Sequence, residues 1–289
     1  MADEQPDHPG LTTRFEIASP TDATGTTAGA AGGELSLTGR LVSASNATFL
    51  AELSAGGCDP IQTVYKPVAG ERPLWDFPDR TLGFREVAAY RVSTLAGFHL
   101  VPYTTLVEGP LGPGSLQMWI DDDPLDVVID LVPTRQVVSC PDSDLVRYAD
   151  RDWFDVLDGL DGRDQEVTLL HAEDPRLRSM ALFDAVINNA DRKGGHILSS
   201  QGRLFGVDHG ISFHPEPKLR TLLWGWAGEE FTDTEAARVQ RVLDVADELD
   251  ALLGEEDTYA LKRRCRRLLD GRRFPRPSGR RHTIPWPPW

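Results

Sequence analysis

Residues 187–213 read INNADRKGGHILSSQGRLFGVDHGISF. A helix-like stretch runs into a polar loop, then into two short apolar runs that flank a turn and end in Asp-His-Gly. Asp191 opens the loop and Asp208 closes the hairpin, 17 positions later, a spacing that suits a hairpin bringing both acids to one place. Phosphoryl transfer needs a carboxylate beside the acceptor hydroxyl and further oxygen ligands for a divalent cation on the phosphates, and this pair could supply both. A plain solvated turn at each acid is the competing reading. Asp208 argues against it, because it stands between LFGV and ISF, where an unpaired acid is costly to bury.

Upstream, ELSLTGRLV, NATFLAEL and IQTVYKPV are short β-like runs bounded by turn residues, which predicts a three-stranded meander. FREVAAYRVSTLAG places Val87, Tyr90, Val92 and Leu95 at helical spacing and ends at Gly97, a natural helix stop. HLVPYTTLVEG and GSLQMWID then read as two further strands about the turn PLGPG. Residues 1–33, rich in Gly, Ala, Thr and Pro, bury too little apolar surface to order themselves and read as a disordered leader. After Asp121–Asp123 the expected character is helical, with candidates in DLVRYADRDWFDVLDGL, PRLRSMALFDAVINN, TEAARVQRVLDVADELDALLG and DTYALKRRCRRLLDG. Thr232 with Glu235 forms a capping box for the third of these. The chain therefore divides into a leader (1–33), a β-rich lobe of five strands and one helix (34–121), a mainly helical lobe (122–271) and a basic Pro/Trp tail (272–289).

The net charge of −15 argues against wholesale binding to nucleic acid or anionic lipid. From Lys262 to Trp289 the balance is +9, leaving −24 on residues 1–261. The tail is read as docking on the acidic body of its own chain, with a polyanion-binding arm as the competing reading. No apolar run is long enough to span a bilayer and the N-terminus lacks a secretory pattern, so a cytoplasmic location is expected. Cys58, Cys140 and Cys265 suggest neither a disulfide framework nor a metal cluster. No H-E-x-x-H, C-x-x-C, G-x-S-x-G or Walker A motif occurs.

NADRKGGH followed by VDHG resembles the catalytic loop and metal-binding turn of the phosphatidylinositol 3/4-kinase-like and HipA-type kinases. The resemblance implies an α+β, protein-kinase-like two-lobed fold. It also implies ATP with Mg²⁺ or Mn²⁺ as cofactors, Asp191 and Arg192 in the catalytic loop, and Asp208 on the metal. Such kinases need a lysine on the third strand and a glutamate on the next helix; Lys66 and Glu86 occupy those places. Where the family carries Asn, five residues after the catalytic Asp, this chain has His196. That imidazole could ligate a softer metal, hydrogen-bond within the loop, or mark a protein that binds nucleotide without turning it over. The hairpin turn VSASNAT offers Ser43, Ser45 and Asn46 to phosphates, and main-chain groups at Met118, Trp119 and Ile120 are placed to read an adenine edge. HPEPKLRTLLWGWAGEEF stands where the acceptor would bind. Its only basic residues are Lys218 and Arg220, which favours a protein or small-molecule acceptor over a lipid. The expectation is an ATP- and metal-dependent phosphotransferase, with a nucleotide-binding pseudokinase acting as regulator or scaffold as the alternative. A third reading makes the acids structural and gives the work to the basic tail.

Overall fold

A computed structural model describes residues 12–17, 31–41, 46–55, 58–123, 126–134, 151–279 and 283–288. The fold is α+β and divides into two compact units, one formed by residues 1–87 and 102–119, the other by 88–101 and 120–289.

The first unit is built on strands β1 (Thr12–Ile17), β2 (Ala31–Arg40), β3 (Phe49–Ala55), β4 (Ile61–Pro67), β5 (Thr104–Gly109) and β6 (Gly112–Met118). They form one antiparallel sheet in the order β1-β2-β3-β4-β6-β5. Between β4 and β5 the chain forms helix α1 (Leu82–Leu95). The sheet has six strands rather than the five expected. Part of the stretch read as an unstructured leader is strand β1, paired with β2 from Thr12↔Ser36 to Ile17↔Ala31. Composition misses it because ladder hydrogen bonds to an existing edge strand supply the stabilisation that its own apolar content does not.

The core of this unit is small: Leu35, Ala51, Tyr65 and Leu116, flanked by partly buried Leu37, Phe49, Leu53, Val107 and Leu111. Tyr65 dominates it. Its hydroxyl donates to the Gly112 carbonyl at 2.5 Å, and burial pushes its pKa up to about 12. A Cβ at Gly109 would stand 2.6 Å from the Tyr65 ring and one at Gly114 2.8 Å from it, so both positions must be glycine for the ring to fit between them. Helix α1 is capped from a distance, the Glu71 carboxylate accepting from the N–H groups of Leu82 (3.2 Å) and Gly83 (3.0 Å).

The second unit holds a sheet of β7 (Ile129–Pro133), β8 (Trp153–Leu160) and β9 (Glu166–Ala172) in the order β7-β9-β8. It also holds the hairpin β10 (Ile197–Ser200) and β11 (Arg203–Gly206). Among the described residues it also holds helices α2 (Pro175–Ile187), α3 (Asp233–Val245), α4 (Asp250–Leu253) and α5 (Glu255–Gly271). The stretch DLVRYADRDWFDVLDGL, expected to be helical, contains strand β8 instead; residues 144–150 lie outside the described residues. Pairing with the buried strand β9, through a bulge between Asp155 and Leu157, overrides the local pattern. The unit is therefore less purely helical than its sequence suggests.

Its core is extensive, running through Val92, Phe98, Leu177, Phe183, Ile187, Phe213, Trp226, Val239, Val242, Leu261 and Phe274. Helix α2 is buried over most of its length, with Pro175 at its start and Asp174 as N-cap, accepting from the Arg176 N–H at 2.7 Å. The capping box at α3 forms as read, Thr232 and Glu235 exchanging backbone bonds. Cys265 is buried, with its thiol pushed up to about 12, whereas Cys58 is exposed. Cys140 lies outside the described residues.

Candidate active site

The loop after α2 is placed by two asparagines and one buried ion pair. Helix α2 ends at Asn188, whose left-handed backbone (φ 55°) turns the chain out of the helix. The Asn188 amide donates to the carbonyls of His214 (2.8 Å) and Glu216 (2.7 Å), and its oxygen accepts from the Lys218 N–H (2.9 Å). It thus holds the segment after the Asp-His-Gly turn. Asn189 donates to Asp184 at 2.9 Å and accepts from the Asp191 N–H at 3.0 Å, which aims the first acid of the loop.

Beneath them, Arg192 and Asp184 pair with both side chains fully buried. The guanidinium reaches Asp184 through Nε (3.1 Å) and Nη2 (2.9 Å), and Nη1 donates to the carbonyls of His196 (3.1 Å) and Val207 (3.3 Å). Nη2 also lies 2.7 Å from His209 Nε2. A guanidinium only donates, so that nitrogen accepts and the ring proton sits on Nδ1. Thr221 closes the far side of Asp184 at 3.0 Å. One side chain thereby ties the loop, the end of the hairpin and the Asp-His-Gly turn to α2. Arg192, read as catalytic, cannot touch a ligand from this position and acts through what it holds.

Above this clamp lie the groups able to react. The Asp191 carboxylate is 3.2 Å from Lys193 Nζ. Burial holds its pKa above the usual carboxylate range, against Lys193 and His196, with Asp208 adding to the rise. His196 Nδ1 lies 2.8 Å from the Asp191 carbonyl, to which it must donate, and its Nε2 faces Asp208 Oδ2 at 3.4 Å. In the neutral ring Nε2 then carries a lone pair aimed at a carboxylate. Two lone pairs facing each other call for a cation between them, whether a proton or a metal ion. Among the described residues no group of three or more His, Cys, Asp and Glu side chains could enclose a metal. An ion held by Asp208 and His196 would thus keep most of its shell for water and phosphate oxygens, as Mg²⁺ and Mn²⁺ do in phosphate sites. The donor set fits.

Asp208 is not the buried acid that its apolar flanks predict. Its side chain is 49% exposed, so no burial cost singles it out; its backbone is left-handed instead, at φ 59°. The expensive acid is Asp184, which the sequence reading passed over. Its signal was present: one charge inside the apolar run ALFDAVI, affordable only if paired. Lys193, two residues past Asp191, was also missed.

In the first unit, Lys66 Nζ meets Glu86 Oε1 at 2.5 Å, with the glutamate 3% and the lysine 21% exposed. Because α1 starts at Leu82, Glu86 lies beyond the first turn, and the helix-dipole explanation for an acid there does not apply. Ser43 and Ser45 lie outside the described residues. Asn46 is engaged locally, its side-chain oxygen accepting from the Arg72 N–H at 2.9 Å. The adenine-reading role set for Met118 and Trp119 meets a physical obstacle. Their N–H groups already donate to the carbonyls of Tyr103 (2.9 Å) and Gln62 (3.0 Å). Ile120 falls in the other unit.

The apolar anchoring read for LLWGWAG has a specific form. Leu222, Leu223 and Trp226 are buried, and the Trp226 ring packs tilted against His171 (4.8 Å) and edge-on against Phe154 (5.4 Å). Residues 283–288 of the tail lie on the second unit. Pro288 accepts from the Gly194 N–H at 2.8 Å, inside the Asp191 loop, and the Thr283 carbonyl accepts from the Thr221 N–H (3.1 Å) and Trp224 Nε1 (3.1 Å).

Protein Rv2133c of Mycobacterium tuberculosis (strain ATCC 25618 / H37Rv) is 47% identical over 263 residues, covering 89% of this chain and 93% of that protein. The chain belongs to the Rv2133c family. No protein-family model matches this Rv2133c-family chain. Among solved structures it is similar to the open conformation of CtTel1, at 12% identity and a TM-score of 0.38 over 89% of this chain and 12% of that one. The complete CtTel1 dimer with C2 symmetry gives 12% identity and a TM-score of 0.36, over 91% and 12%. Scores this low carry no argument about the Rv2133c-family fold or its chemistry. Among the described residues of the Rv2133c-family protein, no helix is long and apolar enough to cross a membrane.

Proposed function

We propose that this Rv2133c-family protein is an ATP- and metal-dependent phosphotransferase with a kinase-like two-lobed architecture, working in the cytoplasm. The observation that carries the reading is the convergence of Asp191, His196 and Asp208 above the Arg192 clamp. Asp191, with its raised proton affinity, accepts the proton of the acceptor hydroxyl, and Lys193 beside it steadies the charge. Asp208 and His196 would hold the metal ion, which supplies charge neutralisation on the phosphates when bound. Lys66, steadied by Glu86, contributes the phosphate-binding ammonium. The acceptor is a protein or a small molecule rather than a lipid, in keeping with the two basic residues of the 214–231 segment.

His196 in place of the expected Asn favours a second reading, a nucleotide-binding regulator without turnover. The measurement that tests both is thermal stability with ATP and Mg²⁺ or Mn²⁺, followed by release or transfer of labelled γ-phosphate. A metal-dependent rise in melting temperature, weakened in Lys66→Ala and Asp208→Asn, is expected. Mn²⁺ should serve at least as well as Mg²⁺, because imidazole is a better ligand for it. Transfer lost in Asp191→Ala with binding retained makes the protein an enzyme; binding without transfer in wild type makes it a regulator. No shift with any nucleotide overturns both.

A further inference from the structure

The second unit contains a cavity of about 700 Å³ to which none of Asp191, His196 and Asp208 contributes. Its wall carries Arg176, Arg178, Arg203 and Arg238, with Phe98 and Leu204 among the apolar residues. In a chain with a net charge of −15, four guanidinium groups around one concavity require an account. Two are neutralised in place. Arg176 pairs with Asp126 (2.7 Å) and Asp174 (2.6 Å), and Arg178 pairs with Glu235 (2.8 Å) and with Glu229.

The other two are not. Arg238 donates Nη1 to the Ser179 hydroxyl at 2.9 Å and lies 5.4 Å from the centre of the Phe98 ring. Arg203 donates to the His99 carbonyl at 3.1 Å and lies 4.9 Å from the Phe205 ring centre. Among the described residues neither has a carboxylate within ion-pair distance. Burial, and then the neighbouring Arg241, hold Arg238 below the usual guanidinium range, with Glu235 as the opposing charge. Glu235 is already shared between Arg178 and the Thr232 N–H. An arginine remains protonated regardless, so the cavity holds positive charge that its own carboxylates do not cancel. The first turn of α3 adds Thr234 to the lining, while its capping box and the acids Asp233 and Glu235 already offset the positive end of that helix.

A face of freely solvated arginines would be the ordinary explanation, but Arg238 is held by the Ser179 hydroxyl beside the Phe98 ring, and the exposed Arg203 by the His99 carbonyl beside the Phe205 ring. That fixes them, and fixed guanidinium groups match the oxygens of a phosphate. The volume lies within the range typical of small-molecule sites. We propose that this cavity binds a phosphorylated small molecule, with Arg203 and Arg238 on the phosphate and the Phe98–Leu204 surface against its body.

The test is calorimetric titration of the full chain with inorganic pyrophosphate in EDTA, where the Asp208 site has no metal to recruit an anion. Saturable binding is expected in wild type, at least tenfold weaker in Arg238→Gln, several-fold weaker in Arg203→Ala, and unchanged in Asp208→Asn. Raising the salt should weaken it further. A hexose phosphate should compete with pyrophosphate and the unphosphorylated sugar should not. No binding in wild type, equal binding in both arginine variants, or loss in Asp208→Asn alone overturns the proposal. Should Arg238→Gln lose its native circular dichroism, Arg203→Ala decides alone, since the Arg203 side chain is exposed.

Discussion

The two units each contain an acid–base pair at a place that matters, and they hold it differently. In the second unit Asp184 and Arg192 are both fully buried, and Asp184 also accepts from Asn189 and Thr221. In the first unit Glu86 is buried but Lys66 keeps a fifth of its side chain in solvent. A saturated buried pair is architecture: its charges are satisfied and its geometry has no alternative. The pair in the first unit is less completely enclosed, its lysine being the more accessible partner. The cores differ in the same sense, Leu35, Ala51 and Leu116 around Tyr65 in one unit and a continuous cluster around α2 in the other.

Matched substitutions test that contrast most sharply. Asp184→Asn places an amide N–H₂ among donors and removes the charge opposite a buried guanidinium, so it should cost about 3–5 kcal/mol in urea unfolding. A cost near that of an ordinary surface change would break the distinction.

Next in size are opposite pH responses of the two units. His171, fully buried in β9, donates Nδ1 to the Ala172 carbonyl and accepts the Gly225 N–H on Nε2, and burial lowers its pKa from 6.5 to about 4. The unfolded chain takes up that proton first as the pH falls. About 3 kcal/mol is therefore intact above the free value and is lost progressively as the pH drops through about 4. Tyr65 runs the other way: its pKa is raised from 10.0, so a comparable contribution is intact below that value and lost as the pH rises through about 12. Hydrogen exchange corrected for intrinsic rates should show acid loosening β9 and its neighbours, and alkali loosening the six-stranded sheet. Exchange that rises uniformly at both extremes would remove the assignment to these two residues.

Gly225→Ala comes third. A Cβ there would stand 2.4 Å from the Phe154 ring and 2.6 Å from His171, and relieving that contact should cost about 1–3 kcal/mol, read as a lower melting temperature. The smallest effect is expected at Glu86→Gln, where the amide oxygen can still accept from Lys66. About 1 kcal/mol is lost, while nucleotide-dependent stabilisation falls by more than the intrinsic stability does. Equal losses from Glu86→Gln and Asp184→Asn would mean the pair in the first unit is structural too.

The strand runs ending in TVYKP, the helix stop at Gly97, the Thr232–Glu235 capping box and the hairpin between Asp191 and Asp208 were legible in the sequence. Each depends on residues within a few positions of one another, or on a tight turn that only a few residue types make. Strand β8 was read as helix and β1 as coil, because a strand's stability lies in a partner distant in the chain, and no local pattern encodes the partner.

The candidate site divides along the same line. Its acids could be picked out because carboxylates at loop and turn positions are few and their spacing is countable. What each acid experiences depends on what folds over it. Asp208, chosen for burial, proved half exposed, and Asp184, passed over inside an apolar run, proved to be the buried one that holds the loop. Residue type and order along the chain are local facts, and the sequence by itself determined them: which groups could ligate, donate or accept a proton. Desolvation, ring tautomers and the pairing of Arg192 arise from neighbours brought from α2, the hairpin and the 220–221 segment, and only the tertiary structure decided those.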